Sequence, residues 1–285
     1  MPRGQDIQQK RFILSVGAQK AGTTWLHHYL SQQPFSDFGF RKEYHVFDAV
    51  ESKPGGFYAR ARKSALAALK QDSQTVKASN AIRRMDFILN TDAYFDYFAA
   101  RFLNPDIHLT GDFTPAYTTL RPEAFVMIDA EFARRGVTVF PVFLMRDPVY
   151  RLQSSARMSL RGGRVKPGKA EEIARMEKFA GRPGMRKRGS YPETLRKLYA
   201  VFGRERLFLD LYETMFSERL QGDLAGWLGL ELGPPPLGEM KNVSRTENAL
   251  TEEEYNHFRA LLGPSFDGVG ELTGLDIDAH WRFRG

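Results

Sequence analysis

Four short runs dominated by apolar, β-branched or aromatic residues interrupt an otherwise mixed chain: RFILSVG (11–17), IHLTGD (107–112), VTVFPVFLM (137–145) and RLFLDLYE (206–213). Each is bounded by polar or turn-forming residues. None follows the strict alternation of a half-exposed strand, so they predict strands buried on both faces, as in a parallel sheet. Between them, apolar residues recur at helical spacing. Leu26, Tyr29 and Leu30 follow the first run, and further helices are predicted over 92–102, 122–135, 148–163 and 191–203. Two more close the chain: 250–263, with Thr251 as N-cap, and the LDIDAHW segment. Strands alternating with helices predict an α/β fold, a single domain over residues 1–285 with a central, mostly parallel sheet flanked by helices. The basic, glycine-containing stretch 161–190 is expected to be a mobile surface loop or lid.

Composition narrows the function classes only slightly. The 285 residues are 42% hydrophobic and 26% charged, and 41 basic against 34 acidic residues give a net charge of +7. That excess favours anionic partners: a phosphorylated cofactor, an acidic glycan, nucleic acid or a membrane surface. There is no cysteine, which excludes disulfides, thiolate metal sites and cysteine nucleophiles. The longest apolar run, 137–145, is too short to span a bilayer. The apolar stretch before Gly17 is too short for a signal peptide. A cytoplasmic enzyme is the expectation.

The chemistry concentrates in SVGAQKAGTTWLHHYL, residues 15–30. A strand running into a glycine-containing loop and then a helix is a phosphate cradle, because successive N–H groups and the helix N-terminus point at an anion. Gly17 and Gly22 have the separation of a nucleotide-binding P-loop, and Thr23 and Thr24 follow. Such a loop, however, carries its lysine directly after the second glycine, where it reaches the distal phosphates. Here the lysine is Lys20, inside the loop. A lysine so placed suits a ligand whose reacting bond lies at the cradle itself. A P-loop NTPase or kinase remains the different-class alternative, opposed by threonine at position 23.

This stretch resembles the 5′-phosphosulfate loop of sulfotransferases that use PAPS (3′-phosphoadenosine 5′-phosphosulfate), roughly K-x-G-T-T-x-L/W. The resemblance implies that Lys20, Ala21, Gly22, Thr23, Thr24 and Trp25 bind the cofactor. A second element, FLMRDPVYRLQSSARM, is similar to the family's 3′-phosphate-binding R-D-P-x-x-R-x-x-S. Arg146 would fork onto the phosphate and Ser154 would donate from the following helix. Without that ligand, Asp147-Pro148 would only start a helix and Arg146 would pair with a carboxylate.

A third stretch, FRKEYHVFD (40–48), resembles the K-E-x-H-F-F-D segment of heparan-type N- and 3-O-sulfotransferases. It implies Glu43 as the base toward the acceptor, with His45 orienting the acceptor or sharing the proton work and Asp48 as the acid that follows. GDFTPAYTTL (111–120) resembles the family's E-K-T-P-A-Y element but carries Phe113 where a lysine is common. The family's late K-G-R loop is not recognisable. Lys241 and Arg245 lie where it should be and are carried over as 3′-phosphate contacts.

Together these resemblances imply sulfuryl transfer from PAPS, leaving PAP (3′,5′-ADP), to a hydroxyl of a carbohydrate or glycolipid-like acceptor, without a metal. A small-molecule alcohol or phenol is the alternative acceptor. A nucleic-acid-binding protein would show a helix-turn-helix or RNA-binding motif, and neither is found.

Overall fold

The computed structural model describes residues 9–70, 75–161, 168–238 and 248–284. The four predicted strands form: β1 (Lys10–Gly17), β2 (Leu109–Phe113), β3 (Val137–Met145) and β4 (Phe208–Leu211). They pair in the order β2-β1-β3-β4 and every pairing is parallel. The result is a single α/β domain with an all-parallel central sheet between helices, as the strand patterning implies. Phe12, Ile13, Leu14 and Val16 of β1 are fully buried, on alternate sides of the sheet. A strand covered on both faces has no solvent side on which polar residues could alternate.

The helices Thr23–Ser31, Thr91–Ala99, Pro122–Arg134, Pro148–Leu160, Tyr191–Phe202 and Glu252–Leu261 all lie where the spacing places them. Their starts are chemically specified. Asp147 caps the helix at 148–160 by accepting from the Val149 and Tyr150 amides, with Pro148 in the first turn. Thr251 and Glu254 form a reciprocal capping box. Among the described residues, no helix is long and apolar enough to cross a membrane.

Two regions differ from expectation. The helices Gly56–Lys70 and Val76–Leu89 were not signalled by the sequence. They pack on each other with Ala61, Ala65 and Ala78 buried, while Leu66, Leu69, Val76 and Leu89 face outward. Periodicity keyed to large apolar residues misses a contact made by alanines. The stretch read as a loop at 161–190 is largely helical, over Lys169–Ala180 and Pro183–Gly189, with residues 162–167 outside the described ones. Met176, Phe179 and Ala180 join Val149, Leu152, Tyr255 and Phe258 in a second apolar cluster. The density of charge around those three residues hides their helical spacing.

Because all four strands run the same way, their C-terminal ends share one edge. From β1 the chain goes first to β2 on one side and then to β3 on the other. The order therefore reverses between β1 and β3, the position at which open α/β sheets bind ligands.

Candidate active site

The loop leaving β1 turns sharply into the helix Thr23–Ser31. Lys20 (φ 71°) and Gly22 (φ 86°) both take left-handed backbone conformations. At Gly22 the requirement is steric as well: a Cβ would lie 2.5 Å from Met215 Sδ and 3.3 Å from the Tyr212 ring. Lys20, with a Cβ, bears a strain of about 1–2 kcal/mol. The turn is braced by Arg146 Nη1, which donates to the Lys20 carbonyl at 3.2 Å. That bond joins the two phosphate-type motifs across a separation of 126 residues.

A cleft of about 230 Å³ opens here. Lys20, Gly22, Thr23, Thr24 and Trp25 form one wall; Arg146, Ser154, Met158, Tyr212 and Phe216 face them; Lys42 and Glu43 close an end. The structure thus brings together most of the residues singled out in the sequence. Ala21 stands apart: it is fully buried behind the loop, and its amide donates to the Ala18 carbonyl within the turn. Lys241 and Arg245 lie outside the described residues.

Charge in the cleft is strongly positive, with Lys20, Lys42 and Arg146 set against the single carboxylate of Glu43. Burial lowers the pKa of Lys20, and the charges of Arg161, Arg146 and Lys42 lower it further. Burial also lowers that of Arg146. The Arg146 guanidinium lies 4.2 Å over the Tyr212 ring, and its buried Nε has no hydrogen-bond partner among the described residues. Asp147 does start the helix, as a structural role requires, and its other oxygen accepts from Tyr255 Oη at 2.7 Å. Arg146, however, makes no carboxylate pair among the described residues. A half-satisfied, desolvated guanidinium beside two ammonium groups is an anion-binding arrangement.

At the closed end, three side chains form a chain. His45 Nε2 lies 3.3 Å from Glu43 Oε2, and His45 Nδ1 lies 2.7 Å from Asp48 Oδ2. Burial would raise the pKa of Glu43, but the hydrogen bond from His45 and the charge of Lys42 hold it at about 2. Burial would lower that of His45, but its bonds to Asp48 and Glu43 raise it. The imidazole thus lies between two carboxylates that favour its charged form.

This segment is fixed from beneath by residues at the end of β2. Asp112 Oδ1 accepts from the Tyr44 amide (3.3 Å) and from Thr114 Oγ1 (2.5 Å), and Thr114 Oγ1 accepts from the His45 amide. Asp112 Oδ2 accepts from Tyr94 Oη (3.0 Å) and Tyr117 Oη (2.8 Å), and Tyr117 Oη accepts from the Val46 amide. Three consecutive amides are therefore anchored on one buried network. His45 itself has φ 52°, which this anchoring sustains.

Lys42 was not singled out in the sequence, although it stands in the K-E pair of the resemblance. Its Nζ donates to Thr24 Oγ1 (2.9 Å), Thr23 Oγ1 (3.2 Å) and Glu43 Oε1 (3.0 Å), spanning the cradle and the carboxylate. Phe113 is fully buried against His27 and Phe38. Tyr212, Phe216 and Met158 carried no motif.

No family model and no curated relative matches the chain. Solved structures do. A sulfotransferase from Alicyclobacillus acidocaldarius superposes with a TM-score of 0.59 at 20% identity, over 99% of this chain and 100% of that one. The sulfotransferase domain of the olefin synthase from Synechococcus PCC 7002 gives 0.46 at 14% identity, over 79% of this chain and 74% of that one. A sulfotransferase from Mycobacterium avium gives 0.43 at 16% identity, over 94% and 77%. The first of these establishes a shared fold.

Proposed function

We propose that this protein is a sulfotransferase that moves a sulfuryl group from PAPS to a hydroxyl, on a carbohydrate or glycolipid-like acceptor. The observation that carries the proposal is the convergence of two phosphate-type motifs on one cleft, tied by the Arg146–Lys20 bond. The residues present suit the donor. Arg146 has an unspent N–H beside the cleft, and the cleft is cationic.

In this reading Lys20, Thr23 and Thr24 hold the 5′-phosphosulfate end, and Arg146 with Ser154 holds the 3′-phosphate. Trp25 and Phe216, in edge contact at 5.1 Å, offer an aromatic surface to the base. When bound, PAPS supplies a sulfuryl group activated by a phosphate leaving group. Glu43 accepts the proton of the acceptor hydroxyl as the new O–S bond forms. The bond from sulfur to the phosphate oxygen breaks and its electron pair stays on that oxygen, where Lys20 offsets the charge. Lys42 supplies the second ammonium that Phe113 does not.

A carboxylate at about 2 is a weak base. It serves here because a loose transfer, by analogy with phosphoryl transfer, asks for the proton late. The early position of Lys20 follows from the same chemistry: the bond to be broken lies at the cradle, with no distal phosphate to reach.

The test is thermal unfolding with PAP, 5′-ADP and ATP·Mg²⁺ in parallel. A ligand of the native state at ~100 times its dissociation constant adds about 2.7 kcal/mol, which is roughly 5 °C for a chain of this size. A shift confined to PAP is expected. Equal shifts with ATP·Mg²⁺, or no shift with PAP, would overturn the proposal.

A further inference from the structure

A second pocket of about 200 Å³ adjoins the cleft and shares Gln19, Glu43 and Pro115 with it. Its remaining wall includes His45, Phe57, Arg60 and Arg188. We propose that this pocket receives the acceptor and binds an anionic substituent on it, so that the acceptor carries a carboxylate, sulfate or phosphate close to the reacting hydroxyl. The assignment rests on the sulfotransferase reading for the hydroxyl, but the anion preference stands on the pocket itself.

Phe57 organises the wall. The His45 ring stacks on it at 4.2 Å with the planes 18° apart. The Arg60 guanidinium lies 4.1 Å from the same ring and that of Arg188 lies 5.7 Å from it. Cation–π contact with a single ring does not account for two like charges gathered on it. Nor are they neutralised. Neither arginine has a carboxylate within ion-pair distance among the described residues, and Arg60 and Arg151 both repel Arg188. Arg151 is itself buried, with Nε and Nη1 unpartnered.

The acidic groups nearby are already engaged. Asp48, which attracts Arg188, is bonded to His45, and Glu43 is bonded to Lys42 and His45. The pocket therefore keeps an uncompensated positive charge beside the proposed base. Guanidinium groups match planar or tetrahedral oxyanions by forked hydrogen bonds. The volume is below that of pockets that enclose whole drug-sized ligands, which fits one substituted ring.

The test uses matched probes, titrated calorimetrically into the 285-residue protein with and without PAP. The pairs are 4-nitrophenyl β-D-glucuronide against the β-D-glucoside, glucose 6-phosphate against glucose, and glucose 6-sulfate against glucose. At least one anionic member is expected to bind about tenfold or more tightly than its neutral partner, and less tightly as salt rises. Arg60→Gln, at an exposed position that leaves the core intact, and Arg188→Gln are each expected to remove most of that preference. The melting shift with PAP should be unchanged in both. Equal binding of charged and neutral members in every pair, or a preference that survives both substitutions, would overturn the subsite. A PAP shift without anion preference leaves the donor reading standing and removes the subsite; anion preference without a PAP shift does the reverse.

Discussion

Asp112 is the group whose replacement reports most directly on how the site is built. It is fully buried at the end of β2 and accepts from Tyr44, Thr114, Tyr94 and Tyr117. Burial raises its pKa to about 6 from an ordinary 3.8, against the opposing pull of those donors. A carboxyl raised on folding stabilises the native state fully below its unfolded pKa, and the contribution is lost as pH rises through the folded one. The window is therefore pH 4 to 6, and the shift corresponds to about 3 kcal/mol. Asp112→Asn removes the titration while keeping the side chain's size. Denaturant unfolding of both proteins between pH 4 and 7.5 should show the stability of the original, relative to the variant, falling by about 3 kcal/mol across that range. The variant should also turn over more slowly, because the amide cannot accept on both sides and the segment bearing Glu43 and His45 loses its anchor. Its PAP-induced melting shift should persist. A difference in stability that is flat with pH, or that rises, would refute the assignment of a buried, raised carboxyl.

Other consequences can be measured in the same preparation. Glu43→Gln should lower the rate of sulfuryl transfer by ~10²–10⁴-fold with PAP binding intact; a rate within a few-fold of the original would remove Glu43 as the base. Gly22→Ala should cost roughly 2–5 kcal/mol of stability, from the left-handed backbone and the contact with Met215, and should weaken the PAP-induced shift. Lys42→Met, which keeps the length but removes the ammonium, should slow transfer and relax the depression of the Glu43 pKa, read by carboxylate NMR titration. His45, raised above its usual value, contributes stability below about pH 6.5 that is lost as pH rises through its folded pKa. Glu43, held at about 2, contributes above its ordinary 4.5 and loses this only toward pH 2. Glu43 should accordingly contribute no limb near pH 4–5 to a pH–rate profile, which should decline on the alkaline side, and His45→Gln should weaken that decline.

The local sequence determined the sheet and the cradle. Strands covered on both faces must be apolar throughout, so β1 and β3 could be read from composition over a few residues. A turn at φ 86° packed against Met215 demands glycine at position 22. Helix starts at Asp147 and Thr251 were legible because caps are chemistry between near neighbours. Grouping Lys20, Glu43 and Arg146 in one site came from resemblance to a family, and the fold then brought those residues to one cleft.

What only the tertiary structure decided lies between residues distant in sequence. The bond from Arg146 to the Lys20 carbonyl, the bridge of Lys42 to Thr23 and Thr24, and the anchoring of residues 44–46 by Asp112, Thr114 and Tyr117 leave no local periodicity. Neither does the meeting of Arg60 and Arg188 over Phe57. Strand burial and helix caps are constraints on neighbouring residues, and they recur at fixed intervals along the chain. A hydrogen bond that crosses 18 to 126 positions is set by strand order and parallel register, which bring every strand's C-terminal end to the same edge.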